Sequence, residues 1–138
     1  MNRTKTLVDA SVWVAAATPE DKYHVAARSI VRDFNHPVGA LDLTLYEVAN
    51  TMGPKRSQPT EGRFLVKLIV KRCRESLLAV DPDLIESALE VAVVHDLTAY
   101  DAAYVAAARR YGWSLVSADI ADLVSKGLAV APDAANYP

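Results

Sequence analysis

The sequence predicts a single α/β domain, spanning residues 1–138, around a mostly parallel sheet of four or five short strands flanked by helices. Short β-like runs alternate with segments of helical periodicity, which is the pattern of parallel strands joined by helices. No Gly/Ser linker, repeat or low-complexity tract divides the 138 residues, and this length suits one domain with its own core. The contents of 51% hydrophobic and 23% charged residues argue against disordered and fibrous classes of protein.

Two strands and one helix are predicted in the first third of the chain. The strands cover residues 6–8 and 38–41. Thr18, followed by Pro19 and two acids, is typical of a helix N-terminus, so we expect a helix from there to Pro37. The inward face of this helix would carry apolar side chains at helical spacing: Tyr23, Ala26, Ala27, Ile30, Val31 and Phe34.

The middle of the chain is predicted to contain two helices around a loop. Thr44 is expected to start a helix that runs to about Asn50, residues 52–59 form the loop, and Thr60 caps the next helix. The second helix is apolar on more than one face, so part of its surface is expected to meet a partner unless the core covers all of it. Its apolar side chains are Phe64, Leu65, Val66, Leu68, Ile69 and Val70.

The last part of the chain continues the alternation of strands and helices. We expect strands at residues 77–80, 113–117 and 128–131, of which the second is buried. Between them we expect a helix opened by Asp81 and Pro82, an Ala-rich helix from Thr98 to Gly112, and a helical turn from Asp119.

Charge and cysteine content narrow the class of protein further. The formal net charge is −2, so a polyanion would have to be held by a local basic patch or by bound cations. Cys73 is the only cysteine, which excludes an intrachain disulfide and a cysteine zinc cluster and favours a reducing, cytoplasmic location. No apolar run approaches the ~18 residues of a membrane-spanning helix, and the N-terminus lacks a secretory pattern. We therefore expect no membrane partner.

Four acidic residues stand where the carboxyl edge of a parallel sheet should lie. Asp9 and Asp119 each follow a predicted strand, while Glu47 and Asp101 are expected in the first turns of helices. Strand C-termini and helix N-termini meet at the same edge of an open α/β sheet, which is where ligands bind. The three histidines are widely separated and are expected at the surface or at helix ends rather than as ligands.

Each acid also has a purely structural interpretation as a helix cap or capping-box residue. Helix capping does not explain why two of the acids follow strands. The four acids together therefore favour a ligand-binding site over a purely structural role. Four converging carboxylates would repel one another unless a cation neutralised them. Oxygen ligands without histidine or cysteine suit Mg²⁺, with Mn²⁺ as an alternative.

Four segments together carry a resemblance to a known family. Read along the chain, they are Leu7-Val8-Asp9-Ala10-Ser11, Leu45-Tyr46-Glu47-Val48-Ala49-Asn50, Leu97-Thr98-Ala99-Tyr100-Asp101-Ala102-Ala103-Tyr104 and Leu115-Val116-Ser117-Ala118-Asp119. Their order and content resemble the four acidic motifs of PIN-domain ribonucleases, in particular the VapC toxins of type II toxin–antitoxin systems. The resemblance covers residues 6–132, and it departs from the family at Ser117, where the family more often has threonine.

The resemblance implies a PIN-like three-layer sandwich and a Mg²⁺-dependent endoribonuclease that hydrolyses RNA phosphodiester bonds as the toxin of a VapBC-type pair. It further implies a cognate antitoxin as partner, docked in a groove of toxin helices, and a homodimer. In the terms of that family, the four acids are the catalytic and metal-binding residues, and two hydroxyls support them. The acids are Asp9, Glu47, Asp101 and Asp119, and the supporting residues are Ser11 and Ser117.

Two other functions stay open at this point: a PIN-fold RNA-processing nuclease outside a toxin system, and a non-catalytic PIN-like interaction module. An aspartyl phosphotransferase of the haloacid dehalogenase type is disfavoured, because that family needs an aspartate two positions after the first one. This chain has Ser11 there.

A candidate RNA-binding surface follows the Glu47 helix. Lys55 and Arg56 lie in the expected loop, and four cations of the next helix recur at spacings of four, four and three: Arg63, Lys67, Lys71 and Arg74. This spacing stacks them along one stripe, which is either a phosphate-contacting ridge or an ordinary solvated face. If metal neutralises the four acids, the net charge becomes about +2, so the overall balance does not argue against RNA binding.

Overall fold

A computed structural model describes residues 5–135 and builds them around a four-stranded sheet. The strand order is β3–β2–β1–β4, and every adjacent pair is parallel. The strands are β1 (Thr6–Val8), β2 (Val38–Leu41), β3 (Leu77–Leu78) and β4 (Ser114–Val116). The predicted parallel α/β architecture is therefore confirmed, with four strands.

Helices cover both faces of the sheet. They are α1 (Ala10–Ala16), α2 (His24–Arg32), α3 (Asp42–Asn50), α4 (Pro59–Cys73), α5 (Pro82–His95) and α6 (Ala99–Tyr111). Adjacent residues of β1 point to opposite faces: Val8 belongs to a core with α1, α2 and α4, and Leu7 to a core with α5 and α6. The molecule is thus the three-layer sandwich expected from the sequence. Among residues 5–135, no helix is both long and apolar enough to cross a membrane.

Close packing of β2 depends on a residue without a side chain. A Cβ atom built on Gly39 would lie 2.6 Å from Cζ3 of Trp113 and 2.9 Å from the backbone oxygen of Ser76. Glycine at this position lets the Trp113 ring press directly on the strand backbone.

Asp81 and Thr98 cap helices as predicted. Asp81 Oδ1 accepts a hydrogen bond from the backbone N–H of Leu84 at the start of α5. Thr98 Oγ1 accepts one from the N–H of Asp101 at the start of α6, which ends at Gly112 in a left-handed conformation.

The predicted helix start at Thr18 is wrong. α2 begins six residues later, at His24, because the Thr18 hydroxyl donates to the carbonyl oxygen of Val14 at 2.6 Å and so belongs to the end of α1. Phe34 was expected on the inward face of this helix, but it lies beyond the last residue of α2 and is 77% exposed.

Two other predicted starts are also displaced. α3 begins at Asp42, where the Thr44 hydroxyl, inside the first turn, accepts from the N–H of Leu41 at 3.1 Å. α4 begins at Pro59, before Thr60, because the fixed φ of proline suits the first helical position.

Two irregular segments also differ from the prediction. The start of the expected loop at 52–59 is a π-helical turn, Thr51–Lys55, which continues α3. The expected strand at 128–131 is reduced to one parallel bridge between Val130 and Val116. The helical turn expected after Asp119 is present as a π-helical turn, Ile120–Val124.

Candidate active site

Asp9 lies at the carboxyl edge of the sheet, immediately after β1, and is only 4% exposed. Its backbone N–H donates to the carbonyl oxygen of Val116, which continues the β1–β4 pairing by one residue. Its side chain caps α1, because Oδ1 accepts from the N–H of Val12 at 3.3 Å. The structural interpretation and the site interpretation of Asp9 are therefore compatible.

Two serine hydroxyls point at the Asp9 carboxylate. Ser11 donates to Oδ1 and Ser117 donates to Oδ2, each at 2.5 Å. Each serine oxygen in turn accepts a backbone N–H from the segment after β4: Ala118 donates to Ser11 at 2.9 Å, and Asp119 donates to Ser117 at 3.0 Å. The two serines predicted from the sequence thus hold both oxygens of Asp9.

Burial dominates the protonation behaviour of Asp9. Desolvation raises the pKa of its carboxyl to about 7, and the negative charge of Glu47 adds to this rise. Hydrogen bonds from Ser11, Ser117 and Val12 oppose the shift without cancelling it.

Glu47 was expected in the first turn of its helix, but it lies in the second turn of α3, because α3 begins at Asp42. The Tyr104 hydroxyl donates to its Oε1 at 2.6 Å. Burial raises the pKa of Glu47, and the bond from Tyr104 opposes that rise.

Asp101 and Asp119 converge with a third acid, Asp122, which lies outside the four acidic motifs of the sequence. One carboxylate oxygen of each lies within 4.8 Å of the other two. Burial raises the pKa of Asp101 to about 6, helped by repulsion from Asp119, Glu47 and Asp122, while Lys126 opposes the rise. Asp122 stands three residues after Asp119 in the π-helical turn, and that spacing was the available signal in the sequence.

The four predicted acids and Asp122 therefore share one region of negative charge. Repulsion links Asp9 with Glu47, and Asp101 with Asp119, Glu47 and Asp122. A family model for the PIN domain matches residues 6–122, a span that includes all five acids.

The chain belongs to the PIN domain family.

Three known proteins show how this PIN domain compares with its relatives. Over 119 residues it is 29% identical to Ribonuclease VapC3 of Pyrobaculum aerophilum, covering 83% of this chain and 89% of that protein. The crystal structure of PAE2754 from Pyrobaculum aerophilum has 26% identity and a TM-score of 0.69, covering 94% of this chain and 85% of that one. A toxin–antitoxin complex from Klebsiella pneumoniae shares the fold, with 16% identity, a TM-score of 0.68 and coverage of 92% and 97%.

The donor set of this PIN domain fits a hard divalent cation. All five side chains offer carboxylate oxygens, the ligand type that Mg²⁺ and Mn²⁺ prefer. Burial, with a smaller contribution from neighbouring carboxylates, raises the pKa of Asp9 and of Asp101 and so disfavours their charged forms. A cation bound among these oxygens would reverse that effect.

None of the histidines contributes to this carboxylate cluster. Two are at helix ends as expected: His24 begins α2 and contacts the carbonyl oxygen of Ala15, and His95 ends α5. The expectation of a surface position is wrong for His36, which is buried and hydrogen-bonded to the Thr6 hydroxyl.

Three of the six predicted cations, Arg63, Lys67 and Lys71, lie on α4, and the other three lie outside it. Lys55 ends the π-helical turn after α3, and Arg56 donates to the Thr18 hydroxyl at 2.7 Å. Arg63 and Lys67 are exposed on α4 and line one cavity. Arg74 was expected on the same stripe, but it lies beyond the end of α4 with a φ of 53°, so it leaves the helical spacing.

Proposed function

We propose that this chain is a Mg²⁺-dependent endoribonuclease that hydrolyses RNA phosphodiester bonds and acts as the toxin of a VapBC-type toxin–antitoxin pair. The observation that carries the proposal is the electrostatic coupling of Glu47 with both Asp9 and Asp101, together with the grouping of Asp101, Asp119 and Asp122 within 4.8 Å of one another, in a PIN domain. Further support comes from the similarity to a protein named Ribonuclease VapC3. The proposal treats residues 1–138 as one domain.

In this proposal the four acids hold the metal and Asp122 adds a fifth carboxylate. A bound Mg²⁺ ion supplies neutralisation of phosphate charge and acidification of a coordinated water. Ser11 and Ser117 fix the orientation of Asp9, since both donate to it and both are themselves bound by backbone N–H groups. Mn²⁺ can replace Mg²⁺ because it favours the same oxygen ligands.

RNA is held by the candidate cations Lys55, Arg56, Arg63 and Lys67. Arg63 and Lys67 are the best placed for this role, because both are exposed and lie one helical turn apart on α4. Arg56 is partly committed to Thr18. A plot of the logarithm of the RNA-binding constant against the logarithm of salt concentration has a negative slope. Replacing Arg63 and Lys67 by glutamine should reduce the magnitude of that slope by about 2. Lys22→Gln, which removes an exposed cation from the turn before α2, is the control.

The antitoxin occupies an apolar groove between α1, α2 and α4. Ala16, Val31 and Leu65 line its floor, and Phe64 lies on its wall with 70% of its surface exposed. The exposed apolar side chains of this groove support the proposal that part of α4 meets a partner. The similar Klebsiella pneumoniae structure is itself a toxin–antitoxin complex. We also propose a homodimer and a cytoplasmic location.

Cleavage of RNA by the purified protein tests the enzyme. We expect cleavage with Mg²⁺, its loss with EDTA, and a fall of at least about 100-fold for Asp9→Asn or Asp101→Asn. Asp133→Asn, an exposed acid outside the cluster, serves as the control. Equal cleavage by Asp9→Asn and the unmodified chain would overturn the assignment.

Growth on expression separates a toxin from a housekeeping nuclease. A toxin arrests growth when expressed alone, Asp9→Asn abolishes the arrest, and co-expression of the small protein encoded beside it relieves the arrest. Active nuclease without any growth arrest would favour an RNA-processing enzyme outside a toxin system.

A further inference from the structure

A line of hydrogen bonds runs from the start of α3 through α6 to Glu47. The N–H of Leu41 donates to Thr44 Oγ1 at 3.1 Å, and this oxygen lies 2.7 Å from the Tyr104 hydroxyl. The Tyr104 hydroxyl lies 2.6 Å from Glu47 Oε1. Thr44 and Tyr104 are 0% and 1% exposed, so water does not compete for these bonds.

Only one assignment of hydrogen-bond donors and acceptors fits both ends of this line, the backbone N–H of Leu41 and the carboxylate of Glu47. An ionised carboxylate can only accept, so the single hydroxyl hydrogen of Tyr104 goes to Glu47. The Tyr104 oxygen must then accept the hydrogen of Thr44. The Thr44 oxygen in turn accepts from the backbone of Leu41. Each group in the line therefore polarises the next toward the carboxylate.

The line joins two elements through side chains that packing already holds. Thr44 and Glu47 lie three residues apart on α3, so they face the same side of that helix. Tyr104 belongs to α6, three residues after Asp101, and its ring is part of the core formed with α5. Because its ring is buried in that core, Tyr104 ties the orientation of Glu47 to the helix that carries Asp101.

We propose that Tyr104 is a positioning residue for the metal site, and that its hydroxyl, aligned by Thr44, fixes the Glu47 carboxylate in the orientation that binds the cation. This inference rests on the proposed metal-dependent function. Tyr104 itself touches neither metal nor RNA and acts only through Glu47.

The test measures Mn²⁺ affinity by calorimetry on the complete chain without RNA, together with the unfolding temperature. Tyr104→Phe keeps the ring and removes the hydroxyl. It should weaken Mn²⁺ binding by about 10- to 100-fold, the range for loss of a partner that orients a metal ligand. Thr44→Val should weaken it less, and Thr44→Ser should restore it. Tyr46→Phe, on the same helix but 81% exposed, is the control and should leave affinity unchanged.

A double-mutant cycle shows whether Tyr104 acts through Glu47. In a Glu47→Ala chain, adding Tyr104→Phe should change Mn²⁺ affinity by less than about twofold, because the group it orients is gone. If Tyr104→Phe lowers only the unfolding temperature and leaves the Mn²⁺ affinity as it was, the positioning role is wrong. If Tyr104→Phe does not fold, Thr44→Val decides: unchanged affinity there also overturns the role.

Failure of the inference and failure of the proposed function give different results. When Glu47→Ala weakens Mn²⁺ binding but Tyr104→Phe and Thr44→Val do not, only the positioning role fails. When Glu47→Ala itself leaves Mn²⁺ binding and RNA cleavage unchanged, Glu47 is not a metal ligand, and the positioning role of Tyr104 fails while the nuclease function stands. When the unmodified chain neither binds Mn²⁺ nor cleaves RNA, the proposed function fails.

Discussion

The Ser117 hydroxyl donates a hydrogen bond to Asp9 Oδ2 across a separation of 108 residues in the chain. The bond depends on the register between β1 and β4, because pairing of Val8 with Val116 places the next residue of each strand side by side. A slip of one residue would turn one of the two side chains to the opposite face of the sheet. The site is therefore a direct product of the β1–β4 register.

Removing the Ser117 hydroxyl should weaken metal binding in a pH-dependent way. The bond from Ser117 holds down the pKa of Asp9, so Ser117→Ala should raise that pKa and increase competition between protons and metal. We expect Mn²⁺ binding at pH 7 to weaken by about tenfold, with the difference shrinking toward pH 9. Ser125→Ala, at an exposed serine, is the control. A loss that is equal at pH 7 and pH 9 would contradict the explanation through Asp9.

The metal-free protein should be more stable at pH 5 than at pH 8. The pKa of Asp9 is raised from 3.8 to about 7 in the folded chain, so between those values the folded state keeps a proton that the unfolded state has released. Stability therefore falls as pH rises toward 7 and then levels off. The expected loss between pH 5 and pH 8 is about 2–3 kcal/mol in the free energy of unfolding.

Urea unfolding with EDTA at each pH measures this loss, and Asp9→Asn should remove most of it. Asp101, whose pKa is raised to about 6, contributes with the same sign. The ion pair of Asp81 with Arg110 does not affect the comparison of pH 5 with pH 8. The pKa of Asp81 is lowered, so its effect on stability is confined to more acidic solutions. A free energy of unfolding that rises steadily from pH 5 to pH 8 would contradict the prediction.

Asp122 should contribute to metal binding although no sequence motif includes it. At a Mg²⁺ concentration of 100 times the dissociation constant, the metal should stabilise the folded chain by about 2.7 kcal/mol at pH 8. Asp122→Asn should weaken Mg²⁺ binding by about tenfold, less than Asp101→Asn does, because Asp122 is exposed and Asp101 is half-buried. Thermal unfolding with and without Mg²⁺ measures both effects. Glu90→Gln, on the exposed side of α5, should behave like the unmodified chain.

Gly39→Ala should destabilise the fold by about 1–3 kcal/mol, the usual cost of an added methyl group in a packed core. The new Cβ would meet Trp113 and the backbone of Ser76 at less than 3.0 Å. Gly53→Ala is a matched control, because a Cβ there has no neighbour within 4 Å. Urea unfolding of both variants provides the comparison, and equal stabilities would show that β2 tolerates the extra atom.

Hydrophobic periodicity predicted the four strands of the sheet and five of the six α-helices, but it missed α1 and added a strand at 128–131. Local cap signals were reliable only where no tertiary partner competed. Asp81 and Thr98 cap their helices as expected. Thr18 and Thr44 carry the same signal, yet the Thr18 hydroxyl donates back to Val14 and accepts from Arg56, and the Thr44 hydroxyl contacts Tyr104. The contacts with Arg56 and Tyr104 span 38 and 60 residues of chain, so the residues next to each threonine do not predict them.

Some residues of the candidate site could likewise be predicted from the sequence, and others depend on tertiary contacts. Strand ends and helix starts place Asp9 and Asp101 at one edge of a parallel sheet, which is a rule of the fold. Asp122 and Tyr104 enter the site through an irregular turn and through contact between α3 and α6. Such contacts depend on packing that periodicity does not encode.

The strand order determines when the proposed site can form while the chain is being synthesised. Asp9 emerges from the ribosome long before Ser117, which lies 108 residues later in the chain. Until β4 has been synthesised, β1 has no strand on that side. A nascent chain can form the β1–β2 pair first, since domains begin to fold from their N-terminal part, but it carries an incomplete set of acids. The proposed metal site therefore cannot be complete before the segment that carries β4 and Asp119 has been synthesised.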